Sequence, residues 1–160
     1  MENIELTLSN PWKRIGAYLI DSSLVSIVVF MILFMIGKGD DLMQISQTVD
    51  IANIEQYINS FSSLFSTMFI IQTLLGIAYF GIYQAMSNGQ TLGKKLLHIK
   101  IVMTNGEEFT VLVAIFRFII NSILLNMCGP LGIIPFFTAN KQGLHDLVVK
   151  TVVVDESEQE

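Results

Sequence analysis

Asp21 lies inside an apolar segment long enough to enter a lipid bilayer, and Arg14 precedes it by seven residues. A charged side chain at the centre of a membrane helix costs about 2.5–3.5 kcal/mol on insertion scales, so it is kept only with a partner or a function. Low dielectric surroundings disfavour a charged carboxylate, so Asp21 is a candidate intramembrane titratable site that exchanges a proton for a cation. The alternative is structural: Asp21 hydrogen-bonds a neighbouring helix and holds the bundle together.

The spacing of Arg14 and Asp21 predicts that they share one helix face, about 10 Å apart along the axis. That separation is too long for direct contact from ideal positions. Tyr79 and Tyr83 lie at matching depth on an antiparallel second span, and Arg117 enters from a third apolar region. We expect Asp21 to reach at least one of Tyr79, Tyr83, Arg117 or Arg14, directly or through water.

A third apolar region contains Arg117, followed one helical turn later by Asn121. Arg117 could lie at the interface, with its guanidinium reaching lipid phosphate. It could instead be the counter-charge of Asp21 or Asp146.

The pair His145-Asp146 could in principle be catalytic, but no serine or cysteine nucleophile accompanies it in a recognisable motif. Asp146 could equally cap a helix or pair with a basic residue. Cys128 is the only cysteine, which excludes an intrachain disulfide and favours a packing role. The residue types predict no cofactor, no metal site and no enzymatic activity.

The segment Gly89-Gln-Thr-Leu-Gly93-Lys94-Lys95 superficially resembles a phosphate-binding loop. Its glycine spacing is one residue short, lysine replaces the required Ser or Thr, and no strand precedes it. We expect Lys94 and Lys95 to face lipid and to contact anionic headgroups instead.

The composition is that of a small multi-pass membrane protein. Of 160 residues 52% are hydrophobic and 14% charged, and the mean hydropathy is +0.59; soluble domains are usually about a quarter charged. The net charge is −5 and no basic stripe is present, which argues against nucleic-acid binding.

Two full membrane spans are predicted. The first covers residues 15–37, after a helix start at Asn10-Pro11 with Trp12 at headgroup level. The second covers 61–86. The polar residues 38–60 form either a short amphipathic helix on the membrane surface or a plain loop; their apolar residues at helical spacing are Ile51, Ile54, Tyr57 and Ile58.

Residues 111–139 are long for one span and short for two. Gly129-Pro130 predicts a helix of about 17 residues, a break and a shorter segment, making a broken hydrophobic hairpin or a re-entrant element. The positive-inside rule favours this reading over a single crossing, because the basic residues then place both termini and the second loop in the cytoplasm.

A small cytoplasmic β element is also predicted. Residues 98–110 alternate apolar and polar types around Asn105-Gly106, which indicates a hairpin with strands near 98–103 and 107–110. The β-branched segment 148–154 should pair alongside.

Together these motifs resemble the RDD family of bacterial membrane proteins, which is named for one arginine and two aspartates. Arg14 and Asp21 match the first two, and His145-Asp146, within Gln142-Gly-Leu-His145-Asp146, matches the C-terminal motif, so that Asp146 is the second aspartate. Gly89-Gln-Thr-Leu-Gly-Lys94 resembles the glycine–lysine signature of the family. The resemblance predicts a single RDD-like transmembrane domain over 1–154 and an acidic disordered tail over 155–160.

The fold expected is an all-α membrane bundle of two full spans, a broken third hairpin and the small β element. The resemblance implies a transport role in the bacterial cell membrane, cation- or proton-coupled, with the charges of Arg14, Asp21 and Asp146 supported by Tyr79, Tyr83, Arg117, Asn121 and His145. So few helices predict a homo-oligomer or another membrane protein as partner. The rival hypothesis is a non-transporting adaptor or assembly factor that acts through its cytoplasmic hairpin.

Overall fold

A computed structural model of the protein describes residues 7–45, 54–127, 138 and 141–157, except for the side chains of 44–45 and 125–127. Its elements, in chain order, are α1 (Pro11–Met35), α2 (Gly39–Ile45), α3 (Ile54–Met86), α4 (Leu92–Leu96), β1 (Ile99–Met103), α5 (Val111–Met127), α6 (Leu144–Val148) and β2 (Thr151–Asp155). Helix α3 is α-helical over Ile54–Gly76 and π-helical over Ile77–Tyr83, and it ends with Gln84–Met86.

Helices α1 and α3 are each long and apolar enough to cross a membrane. The predicted start of α1 is confirmed: Pro11 is its first residue, and the Asn10 side chain accepts a hydrogen bond from Trp12 N at 3.0 Å. Helix α3 begins at Ile54 rather than at 61, because the helical spacing of Ile54, Tyr57 and Ile58 continues directly into the span.

The polar segment between these helices was predicted as one surface helix or a loop over 38–60. Residues Gly39–Ile45 form α2, and residues 54–60 form about the first two turns of α3. Residue 51 lies outside the described residues, and its predicted place on an amphipathic face therefore stays a prediction.

The chain divides into two compact units, Met1–Ser22 with Gly76–Glu160, and Ser23–Leu75. In the second unit the buried apolar side chains are Val25, Val29, Leu33 and Leu64. Large apolar side chains, among them Phe30, Phe34, Phe65 and Phe69, are about half exposed or more. Such a surface is unusual for a soluble monomer and is expected where lipid replaces water.

In the first unit β1 and β2 form an antiparallel pair, with Ile99 opposite Asp155 and Met103 opposite Thr151. The N-terminal segment pairs with β2 as well: Leu8 forms a bridge to Val154, and Ser9 N donates to Val153 O at 3.0 Å. The predicted pairing of the first and last β segments is confirmed, although the last strand begins three residues after position 148.

The predicted hairpin is wrong in its second half, because residues 107–110 form no strand. The turn itself is present, since Gly106 has a φ of +77° and the Asn105 side chain accepts from Glu107 N at 3.2 Å. The turn directs the chain into α5, whose first turn is capped by Thr110: its hydroxyl accepts from Val113 N at 3.4 Å. The polar residue read as strand is thus a helix cap.

The core of this unit consists of Ala17 from α1 with Ile99, Ile101 and Val153 from the sheet. Helix α5 packs on the π-helical part of α3 through close approaches at glycine. A side chain at position 81 would place its Cβ 2.7 Å from the Ile115 side chain. The sheet is therefore fixed to the start of α1, and α5 to the end of α3.

Helix α5 confirms the predicted helix of about 17 residues, since it spans Val111–Met127. The predicted break at 129–130, the return segment and Cys128 lie outside the described residues. The predicted disordered tail begins too early, because Asp155 belongs to β2 and pairs with Lys13 Nζ at 2.6 Å. Glu156 N also donates to His98 O at 2.8 Å, so the chain is ordered at 155–157.

Two glycines with positive φ provide a matched test of the fold. Gly106→Ala should cost roughly 1–2 kcal/mol, the strain of a left-handed backbone, because nothing lies within 4 Å of the added methyl group. Gly89→Ala should cost clearly more, because Gly89 has a φ of +82° and its Cβ would also overlap the Ile101 carbonyl oxygen. Denaturant titration in detergent measures both; equal losses would contradict the close approach of Gly89 to β1.

Candidate functional site

The Asp21 carboxylate is fully buried and accepts three hydrogen bonds from its own chain. Tyr79 Oη donates to Oδ1 at 2.7 Å, and Gly93 N donates to the same oxygen at 2.8 Å. The Thr91 hydroxyl donates to Oδ2. The predicted bond from Tyr79 is present, and both carboxylate oxygens are satisfied without water.

Tyr79 occupies the π-helical part of α3, a geometry that is rare and frequent at functional sites. Its hydroxyl also accepts from Leu92 N at 3.0 Å, so one side chain joins α3, α4 and Asp21. Tyr83 is not one of the three donors to Asp21; its ring stacks on that of Tyr79, with the ring centroids 5.4 Å apart. Tyr83 therefore supports the tyrosine that bonds the carboxylate.

Two residues of the glycine–lysine segment, Thr91 and Gly93, bind this carboxylate. A side chain at Gly93 would overlap the Ala17 carbonyl oxygen and come within 3.0 Å of the Asp21 carboxyl group. Thr91 supplies the hydroxyl and Gly93 the amide. The segment thus binds an anion, as its likeness to a phosphate loop hinted, but the anion is a side chain of the same protein.

Lys94 differs from its prediction as a lipid-facing residue. With the Gln84 amide oriented so that its nitrogen donates to Phe80 O (2.8 Å), its oxygen accepts from Lys94 Nζ at 2.7 Å. Burial lowers the pKa of Lys94 to about 7, with a further lowering from Arg117 that Asp21 and Asp146 oppose. The ammonium points inward because Gln84 and two carboxylates lie there.

Lys95, the neighbouring residue, has the opposite environment. It is exposed, and its ammonium lies 5.8 Å from the centre of the Tyr83 ring, within reach of a cation–π interaction. Contact of Lys95 with anionic lipid stays a prediction.

The Asp146 carboxylate forms a second buried cluster. Arg117 donates through Nε at 2.8 Å and approaches with Nη2 at 2.7 Å, both to Oδ1, and Arg14 Nη1 lies 3.6 Å from Oδ2. Thr151 Oγ1 donates to Oδ1 and Gly143 N to Oδ2, each at 3.2 Å. Asp146 therefore both caps α6 and pairs with basic residues, and Arg117 is its counter-charge.

Burial is the largest single influence and would raise the pKa of Asp146. The charges of Arg117 and His145 and the hydrogen bonds from Arg117 and Gly143 N together outweigh it, and the pKa falls to about 2. His145 has its Nε2 3.4 Å from Arg117 Nη2. Burial, followed by Arg117, lowers the pKa of His145 to about 4, so the imidazole is neutral at pH 7. Its Nε2 then accepts from the arginine rather than activating a nucleophile.

Arg14 connects α1 to the sheet and to Asp146. Its Nη2 donates to Val153 O at 3.1 Å, and its Nη1 donates to the Lys141 carbonyl. Among the described residues Arg14 and Asp21 have different hydrogen-bond partners, and the direct contact that their seven-residue spacing disfavours is not formed.

The polar side chains that sequence reasoning missed are Gln84, Thr91, Gln142 and Thr151. Gln142 Nε2 donates to Thr151 O at 2.7 Å and so fixes the approach to α6. Thr91 and Gln142 stand inside the quoted motifs, but the sequence did not indicate which groups these side chains would contact. Asn121 is half-buried one turn beyond Arg117. No group of three or more His, Cys, Asp or Glu residues that could hold a metal occurs within the described ranges.

Removing the Asp146 charge should destabilise the protein strongly. Asp146→Asn leaves two arginines without their counter-charge in a buried site, and we expect a loss of about 3–5 kcal/mol in denaturant titration. The wild-type contribution is fully present above the ordinary pKa of 3.8 and is lost as the pH falls through about 2.

The matched control is Asp41→Asn, which removes the ion pair with Lys38 (2.8 Å). Both side chains of this pair keep about a quarter of their surface exposed, so the loss should be less than about 1 kcal/mol. Similar losses in the two variants would contradict the assignment of Asp146 as the centre of a buried cluster.

Comparison with known proteins identifies the family of the chain. The family model described as "RDD family" matches residues 8–150. The uncharacterized protein YxaI of Bacillus subtilis (strain 168) is 31% identical over 143 residues, which cover 89% of this chain and 94% of that protein. No solved structure matches the chain. The matched range includes Arg14, Asp21 and Asp146, and this membrane protein therefore belongs to the RDD family.

Proposed function

We propose that this protein couples the movement of a small cation across the membrane to the movement of a proton, with Lys94 and Asp21 as the proton-handling pair. The observation that carries the proposal is Lys94, which is half-buried, donates inward to Gln84 at 2.7 Å and has its pKa lowered to about 7 by desolvation. A lysine with only a structural role would be expected to keep its charge at physiological pH, and the lowered pKa of Lys94 does not serve such a role.

The charges of the two clusters explain how coupling would work. Three basic groups, Arg14, Lys94 and Arg117, face the carboxylates of Asp21 and Asp146. When Lys94 releases its proton, one positive charge leaves, and a monovalent cation can replace it without changing the total charge. The two side-chain donors to the Asp21 carboxylate, the hydroxyls of Tyr79 and Thr91, are oxygens, the ligand type that hard cations prefer.

Access to this site needs movement. Asp21 is fully buried, and Tyr79, Thr91 and Gly93 already occupy its oxygens. A cation would have to displace the Thr91 or Tyr79 hydroxyl hydrogen bond while keeping the hydroxyl oxygen as a ligand. The exchange therefore involves a displacement of α4 from α1.

The proposed orientation has both termini and the loop that carries Lys94, Lys95 and Lys100 in the cytoplasm of a bacterial cell, following the positive-inside rule. In a Cys128→Ser background, a cysteine at position 107 should resist an impermeant maleimide in intact cells, whereas one at position 40 should react. Reaction at 107 from outside would reverse the orientation. A homo-oligomer would supply the helices that a complete pathway needs.

The function is tested in liposomes that contain the purified protein and a pH-sensitive dye. An imposed Na⁺ or K⁺ gradient should drive proton flux that increases as the pH rises through about 7, because the cation enters when Lys94 is neutral. Lys94→Gln should abolish the coupling, and Asp21→Asn should abolish flux while leaving the elution profile unchanged. Lys95→Gln, which changes the exposed neighbour, should behave as the wild type.

A second function is favoured by a different observation: both carboxylates are saturated with donors from the same chain. Such clusters fasten the sheet to the membrane helices, and the protein would then be a non-transporting adaptor that presents its β1–β2 sheet to a partner protein. Folded wild-type protein without cation-dependent flux would overturn the transport proposal and favour the adaptor. No enzymatic activity is proposed for either case.

A further inference from the structure

The short helices α4 and α6 each direct a charged side chain inward and expose large apolar side chains, the reverse of what is expected at a protein surface in water. In α4, Gly93 and Lys94 face the interior, whereas Leu92 and Leu96 are 45% and 67% exposed. These leucines are four residues apart and so share one helix face.

Helix α6 repeats this inversion. Its buried residue is Asp146, whereas Leu147 and Val148 are 47% and 65% exposed. Two helical segments of the same compact unit that direct charge inward and present large apolar side chains lose free energy in water and gain it in contact with hydrocarbon.

The position of these helices along α1 supports contact with lipid. The backbone of α4 at Gly93 packs on Ala17, six residues and about 9 Å along the axis from Pro11. Trp12, exposed in the first turn, is the type of residue that marks headgroup level. Helix α4 therefore lies just below that level.

Helix α6 reaches a similar depth, because Asp146 pairs with Arg14 of α1 and with Arg117, six residues into α5. Both short helices are thus attached to the same end of α1. The exposed Lys95 beside Leu96 adds charge complementarity to anionic headgroups.

We propose that α4 and α6 form an interfacial collar: Leu92 and Leu96 of one, and Leu147 and Val148 of the other, insert into the headgroup–acyl boundary of a single leaflet. The occupant of this surface is the lipid bilayer. The inference is independent of whether the protein transports anything, since it concerns only where the chain meets the membrane.

Depth-dependent fluorescence quenching tests the collar. Trp12 is the only tryptophan, so Trp12→Phe provides a silent background into which Leu96→Trp or Val148→Trp is introduced. In vesicles of brominated phosphatidylcholine with some phosphatidylglycerol, both variants should lose most of their emission and be blue-shifted. The control Glu107→Trp, in the exposed turn after β1, should keep its emission and be quenched by aqueous iodide.

Two outcomes would overturn the collar. Quenching of positions 96 and 148 by iodide and not by bromolipid would place the helices in water. Protection from both quenchers would mean that a second copy or another protein covers them. If tryptophan at 96 alters the elution profile, position 92 on the same face replaces it, so the depth is measured in either case.

Discussion

A buried carboxylate must receive hydrogen bonds from the protein, because the interior of a membrane offers it no water. This constraint organises the first compact unit of the chain. Asp21 has no exposed surface, and the donors that it needs come from the end of α3 and from the loop and helix that follow. Tyr79 donates from the π-helical part of α3, and the lack of a side chain at Gly93 lets its amide approach Asp21. The turn at Gly89 leads the chain from α3 into this segment. Asp146 imposes the same requirement, which Arg14, Arg117 and the backbone amide of Gly143 meet.

Much of this arrangement was predictable from the sequence. The apolar lengths predicted the two membrane-length helices, and the seven-residue spacing predicted that Arg14 and Asp21 are too far apart for direct contact from ideal positions. Tyr79 was predictable because aromatic hydroxyls are few and one lay at the right depth. Thr91 and Gly93 were not, since their role depends on a close approach of α4 to α1 that has no periodicity in the sequence.

The errors also have physical causes. Residues 107–110 alternate as a strand does, but Thr110 caps a helix, and a helix cap and a strand end use the same polar residue types. The tail was read as disordered from its acidity, yet Lys13 neutralises Asp155 from a position 142 residues earlier. Lys94 and Lys95 differ only in which side of a single helical turn they occupy, a difference of about 100° that charge counting cannot detect. This rotation directs the Lys94 ammonium towards Gln84 and the Lys95 ammonium towards the surface.

The place of β2 in the sheet has a consequence for how the protein is made. β2 lies between β1 and the segment around Leu8, so the first and last described segments of the chain are joined through it. The most distant donor to Asp21 is 72 residues away in sequence, whereas the Val153 carbonyl that accepts from Arg14 is 139 residues away. During synthesis the membrane helices and the Asp21 cluster can therefore assemble while Arg14 is still without its final partners. Because β2 follows all the other described elements along the chain, Arg14 obtains its partner in the sheet only after those elements have been synthesised.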